Sequence, residues 1–157
     1  MAINKDQFRE LVRTTLKELE PEIPYSKEAE ELIMLTAATE SNLGEYLEQV
    51  KGPAQGVFQV EPATHEDIWD NYLKYKPALQ KKILSFGTIG VSQYDLRYNL
   101  IYQTAICRVH YYRSKKPLPT MDPVSLATVW KSTYNSSLGK GTVAHAVEKY
   151  KKYVLEG

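Results

Sequence analysis

Apolar residues recur at a helical spacing through nearly all of this chain, and the spacing lapses in one place, between Asn42 and Val60. A chain patterned this way is restricted to packed helices with one irregular insertion. Phe8, Leu11, Val12, Leu16 and Leu19 mark the inner face of a helix over about residues 5–20, which Pro21 stops. Ser26 is placed to cap a second helix that carries Glu28 and Glu30 in its first turn and turns Ala29, Leu32, Ile33 and Thr36 inward. That helix is expected to reach Thr39 or Glu40. Gly44, Gly52, Pro53 and Gly56 then surround "GVFQV", which reads as a loop with a short strand or hairpin. Beyond it, Thr64 can cap a third helix running to about Leu73, and Pro77 opens another to Ser85. Tyr94 to Arg113 reads as one long helix, and two more are expected over 123–134 and 142–153, the last capped by Thr142. The expected fold class is α+β, predominantly α-helical, with a small β-hairpin or loop region between the second and third helices. Residues 1–157 read as a single domain, to which the helix within 1–22 would be peripheral.

Charge removes several functions from consideration. Lysine and arginine number 20 against 19 aspartates and glutamates, a formal net charge of +1. Such a balance offers no excess of cations to neutralise a phosphate backbone, so no nucleic-acid partner is expected. Cys107 is the single cysteine and lies in an apolar helical run, where a core thiol is expected. No stretch has the length and apolarity of a membrane span, and the amphipathic "MAINKDQFRELVRTTLKELE" lacks the apolar core of a secretory signal, so no membrane insertion is expected. His65, His110 and His145 are scattered without metal-ligand spacing, and no phosphate-binding fingerprint is present. Neither a metal nor a cofactor is expected.

Two polar residues stand where the pattern asks for apolar ones. The second helix delivers Glu40 to its C-terminal end, where the macrodipole disfavours another negative charge. Apolar surroundings and that dipole both raise a carboxyl pKa, and an acid that keeps its proton near neutral pH is what general acid catalysis requires. The alternative is a solvated carboxylate at a frayed helix end. Gln59 interrupts "GVFQV", and an uncharged amide there suits hydroxyl and acetamido recognition, or simply the outward side of a strand.

Read together, these segments resemble the lysozyme-like lytic transglycosylases, the superfamily that includes goose-type lysozymes. Glu40-Ser41 matches the family's Glu-Ser at a helix end. Its block Ala-x-Gly-Leu-Met-Gln-x-x-Pro-x-Thr is met by Ala54-Gln55-Gly56-Val57-Phe58-Gln59-Val60-Glu61-Pro62-Ala63-Thr64. Asn99 resembles the Asn that opens the long core helix. Thr133-Tyr134-Asn135, followed by small residues and then Gly139 and Gly141, resembles the final Ala-Tyr-Asn block.

The resemblance implies a lysozyme-like fold and cleavage of the β-1,4 bond between N-acetylmuramic acid and N-acetylglucosamine in peptidoglycan glycan strands. Glu40 would be the single catalytic acid and base, with Ser41 and Gln59 holding the muramoyl sugar. Tyr134 would hydrogen-bond to Glu40, and Asn135 is a further substrate-binding candidate. Tyr98, Tyr102, Tyr111, Tyr112 and Tyr134 are candidates to stack on sugars or to pack in the core. The chain departs from the pattern at Glu61, a position commonly apolar, and at Thr133. A second carboxylate across a glycosidase cleft activates water, so Glu61, in company with Glu45, Glu48, Glu66 and Asp67, is a candidate for turning anhydro-ring closure into hydrolysis. The implied alternatives are a hydrolytic muramidase and a non-catalytic sugar-binding or structural virion protein. The likeness is to phage-type enzymes: an endolysin held in the host cytoplasm until release to the cell wall, or a virion-associated enzyme beside other virion proteins, in either case a monomer.

Overall fold

The computed structural model describes residues 3–88, 93–135 and 139–156. The chain is predominantly helical: α1 (Lys5–Glu18), α2 (Lys27–Ser41), α3 (Pro62–Asn71), α4 (Pro77–Phe86), α5 (Gln93–Tyr98), α6 (Leu100–Tyr112), α7 (Pro123–Val129) and α8 (Val143–Tyr150). Short polar side chains begin these helices where backbone N–H groups would otherwise be orphaned. Ser26 Oγ accepts from Ala29 N at 3.1 Å, Asp122 from Ser125 N at 3.0 Å and Thr142 from His145 N at 3.1 Å. Pro62, Pro77 and Pro123 open α3, α4 and α7, where a missing N–H costs nothing. Because Pro62 starts α3, its cap position falls on Glu61, and the cap expected at Thr64 is one turn too late.

Helix α2 is the centre of the molecule and packs against α1, α6, α7 and α8. Every residue from Ala29 to Ala38 is buried, so the one-sided inward face expected of it is a complete sheath instead. Glu30 and Glu31 are part of that sheath because α1 supplies the opposite charge. Arg13 Nε and Arg9 Nη1 both reach Glu30 at 2.8 Å, Tyr25 Oη donates to Glu30 at 2.7 Å, and Tyr150 Oη donates to Glu31 at 2.6 Å. Burial alone would push the Glu30 carboxyl up, but the hydrogen bonds from Arg13, Tyr25 and Arg9 overcome it and bring the pKa down to about 2. Helix α1 is accordingly integral to the core. Phe8, Val12 and Leu16 are buried, and the Phe8 ring lies 6.0 Å from that of Phe58 in the irregular insertion.

The long helix expected from Tyr94 to Arg113 is divided into α5 and α6 at Asn99, whose extended backbone (φ −101°, ψ 101°) lets its side chain cap Tyr102 N at 3.0 Å. The same amide donates to Phe86 O at 2.8 Å, fastening the end of α4 to the break.

The insertion between α2 and α3 contains no strand among the described residues. The expected hairpin is reduced to isolated antiparallel bridges, Glu48 with Gln55 and Gln55 with Val60. A ladder cannot extend here because Gly56 (φ 80°) and Gln59 (φ 49°) turn the backbone left-handed. The loop is held by tertiary bonds in place of a sheet: Gln103 Oε1 of α6 accepts from Val57 N at 2.7 Å, and Arg97 of α5 bonds to Gln55 and pairs with Glu48 at 2.7 Å.

Candidate functional site

The end of α2, the insertion and the π-helical turn Trp130–Asn135 after α7 surround a cleft of about 760 Å³. Glu40, Gln59, Glu61, Tyr134 and Asn135 all line it, so residues 95 positions apart in the chain share one wall system. Ser41 does not. Its buried hydroxyl donates to Ala37 O at 3.2 Å and accepts from Gly44 N at 2.9 Å, which shapes the turn that ends α2. The small residues expected after the Tyr-Asn pair, 136–138, lie outside the described residues.

Glu40 is partly buried in the last turn of α2, one residue before the helix ends. Loss of hydration pushes its pKa up to about 7, against the pull of a hydrogen bond from Trp130 Nε1 to Oε2 at 2.8 Å. The carboxyl is therefore divided between its acid and ionised forms near neutrality. The helix is closed behind it by Asn42 in the left-handed region (φ 52°), and Lys149 Nζ of α8 donates to Asn42 Oδ1 at 2.7 Å.

Trp130 takes the role that the sequence reading assigned to Tyr134. The Tyr134 hydroxyl instead donates to Phe58 O at 2.5 Å, and its ring stacks on Tyr111 at 5.3 Å and lies 4.7 Å from His110. It braces the insertion against α6 beside Glu40. A signal for Trp130 did exist, since it precedes Tyr134 by four residues and so falls on the same helical face. The π-helical winding keeps Trp130 and Asn135 turned to one side, and Gly141 fits over both: a Cβ there would come within 2.5 Å of the Trp130 ring and 3.3 Å of Asn135 Nδ2. Asn135 is held by Lys131 Nζ, which donates to its Oδ1 at 2.7 Å and to Gly139 O at 2.9 Å.

Gln59 Nε2 donates to Gly56 O at 2.8 Å, a bond that supports the residue's left-handed backbone. Its amide oxygen has no hydrogen-bond partner among the described residues and is available as an acceptor on the cleft wall. Of the candidate second carboxylates, Glu48 and Glu61 line the cleft, whereas Glu45, Glu66 and Asp67 do not. Glu48 is paired with Arg97, and Asp67 with Arg113 at 2.6 Å. Glu61 is exposed and has no ion-pair partner among the described residues.

Sequence reasoning also missed Tyr46 and His110 as lining residues. Tyr46 is the exposed aromatic at the rim, while Tyr102 and Tyr111 are core residues and Tyr98 and Tyr112 lie outside the cleft. Burial lowers the His110 pKa to about 4, so the ring is neutral at pH 7, and its Nδ1 has no partner among the described residues. Cys107 is fully buried, as expected of a core thiol. Among the described residues no group of three or more His, Cys, Asp or Glu side chains is arranged to hold a metal ion, and no helix is long and apolar enough to cross a membrane. No family model, no curated protein and no solved structure matches the chain.

Proposed function

We propose that this protein cleaves peptidoglycan at the β-1,4 bond between N-acetylmuramic acid and N-acetylglucosamine, on a lysozyme-like arrangement with α2 on one side of the cleft and the 45–61 insertion on the other. The observation that carries this reading is the Glu40 carboxyl, partly buried with its pKa raised to about 7, opening into a cleft whose lining includes the amides of Gln49, Gln59 and Asn135 and the rings of Tyr46 and Tyr134. In this reading Glu40 gives its proton to the bridging oxygen as the bond from the muramoyl C1 breaks, leaving an oxocarbenium-like sugar and a glutamate carboxylate. The C6 hydroxyl then adds to C1 and returns its proton to Glu40, which closes the 1,6-anhydro ring of a lytic transglycosylase. In this reading Trp130 is the positioning residue for Glu40, and the free oxygen of Gln59 and the amide of Asn135 meet sugar substituents.

A second outcome is favoured by one observation, the unpaired Glu61 on the cleft wall. Water activated by Glu61 would take the place of the C6 hydroxyl and yield a reducing end, the product of a muramidase. Glu40→Gln is expected to reduce the clearing of purified peptidoglycan by about 10²- to 10⁴-fold, the usual contribution of a general acid. Unchanged clearing would overturn the assignment in favour of a sugar-binding or structural protein. Mass spectrometry of the released muropeptides separates the two enzymatic outcomes, since anhydro products lack one water.

A further inference from the structure

Within α6, Arg108 is 5% exposed and forms no hydrogen bond or ion pair with any described residue. No aspartate or glutamate lies outside the described residues, so no acidic side chain remains to be placed beside it. Its guanidinium lies 5.4 Å from the centre of the Tyr112 ring, a cation–π contact that leaves its N–H donors unused. Burial pulls the Arg108 pKa below the usual guanidinium value, but not to where the group gives up its charge. The guanidinium nitrogens keep contact with the cavity, and a mostly buried cation without a counter-ion favours an anion that can enter beside it.

Arg108 lines a cavity of about 450 Å³ whose other charged lining residues are Lys76, Lys115 and Lys116, with no carboxylate among them. None of these lysines is in an ion pair among the described residues; Lys76 lies over the Tyr72 ring at 5.6 Å and Lys116 donates to Ser132 O at 3.2 Å. A chain with a net charge of only +1 thus gathers four cations around one hollow. The remaining walls are tyrosine rings and aliphatic side chains, including Tyr72, Leu118 and Val129. Several cations call for an anion of more than one charge, the guanidinium fork matches phosphate oxygens, and the walls suit an apolar body. From this geometry we infer that the Arg108 cavity is a binding site for a small organic phosphate monoester, its phosphate on Arg108 and its body between the tyrosines. The site is separate from the Glu40 cleft and does not rest on the reading of that cleft.

Titration calorimetry and thermal unfolding of the full chain test this with phenyl phosphate, inorganic phosphate and benzoate at matched ionic strength. Phenyl phosphate is expected to bind one to one and raise the melting temperature, with inorganic phosphate weaker and benzoate weaker still. Arg108→Met is expected to weaken phenyl phosphate binding by about 10- to 100-fold, the loss that follows deletion of a charged hydrogen-bond donor. Without ligand this variant is expected to melt no lower than the wild type, because it replaces an unpaired buried charge by an apolar chain of similar length. Lys115→Gln combined with Lys116→Gln alters only exposed side chains and is expected to weaken binding and flatten its salt dependence. No binding of phenyl phosphate to the wild type, equal binding to Arg108→Met, or benzoate binding as tightly as phenyl phosphate would each overturn the proposal. None of these readouts involves peptidoglycan, so their failure leaves the Glu40 reading untouched, and the converse holds.

Discussion

At the scale of single residues, the chemistry of the cleft depends on what surrounds one carboxyl group. Position at a helix end identified Glu40, but the size of its perturbation comes from lost hydration opposed by one hydrogen bond, and neither is visible along the chain. Trp130 Nε1 stabilises the ionised form of Glu40, so Trp130→Phe removes the opposing influence while keeping most of the buried ring. The expected result is a Glu40 pKa still higher than about 7 and a basic limb of the pH–activity profile displaced upward. A profile that stays in place while activity falls would make Trp130 a packing residue only. The partner of Tyr134 is hidden from the sequence for a related reason: a tyrosine hydroxyl reaches several acceptors, and only the fold selects the Phe58 carbonyl over the Glu40 carboxylate.

Among the structural elements, boundaries that depend on local chemistry were legible and boundaries set by distant partners were not. Ser26 and Thr142 cap their helices because a hydroxyl and a backbone N–H three residues on suffice for the bond. Asn99 divides a helix because it also binds Phe86 O, thirteen positions earlier. Asn99→Ala is expected to cost about 1–2 kcal/mol, read as a lower urea midpoint, since a cap is lost and a carbonyl is left without its donor. In the insertion, a Cβ at Gly56 would come within 2.3 Å of Leu96 O and 2.4 Å of Gln103 Oε1, at a φ of 80°. Gly56→Ala is therefore expected to destabilise by more than about 1 kcal/mol and to impair binding in the cleft, because Gln103 can no longer hold Val57 N in its present place. Denaturant unfolding and a peptidoglycan-binding assay check the two effects.

Over the whole molecule, buried titratable groups set opposite limits on stability. Glu40 has a folded pKa of about 7, above its ordinary value of 4.5, so the native state holds that proton more tightly and stability falls as pH rises from about 4.5 through 7. His65 and His110 have folded pKa values of about 4, below 6.5, so they must charge on acidification and stability falls as pH drops from about 6.5 through 4. Glu30, brought down to about 2, adds a further loss below about 4.5. Between about pH 4.5 and 6.5 the gain from two histidines outweighs the loss from one glutamate, so the expected stability maximum lies near pH 7, measured as urea midpoints across pH 3–9. Glu40→Gln removes the opposing contribution, so its stability is expected to climb more steeply than that of the wild type between about pH 4.5 and 7, by up to about 3 kcal/mol over that range, with the same slope below about pH 4. Parallel stability curves for this variant and the wild type across that range would show that Glu40 does not carry the shift.

Where most helices run and where they must stop was legible along the chain, because a 3.6-residue apolar period, a capping hydroxyl and a proline act within a few positions of themselves. Glu40 and Gln59 also stood out there as polar residues in apolar company. The burial of α2 on all sides came from packing alone, since its two glutamates are neutralised by arginines and tyrosines from α1, α8 and the turn between α1 and α2. The same holds for the conversion of a hairpin into a pinned loop, for the turning of Ser41 away from the cleft and for the donation to Glu40 from Trp130, 90 residues on. Those outcomes depend on desolvation and on hydrogen bonds between distant segments, and both exist only once the core has closed.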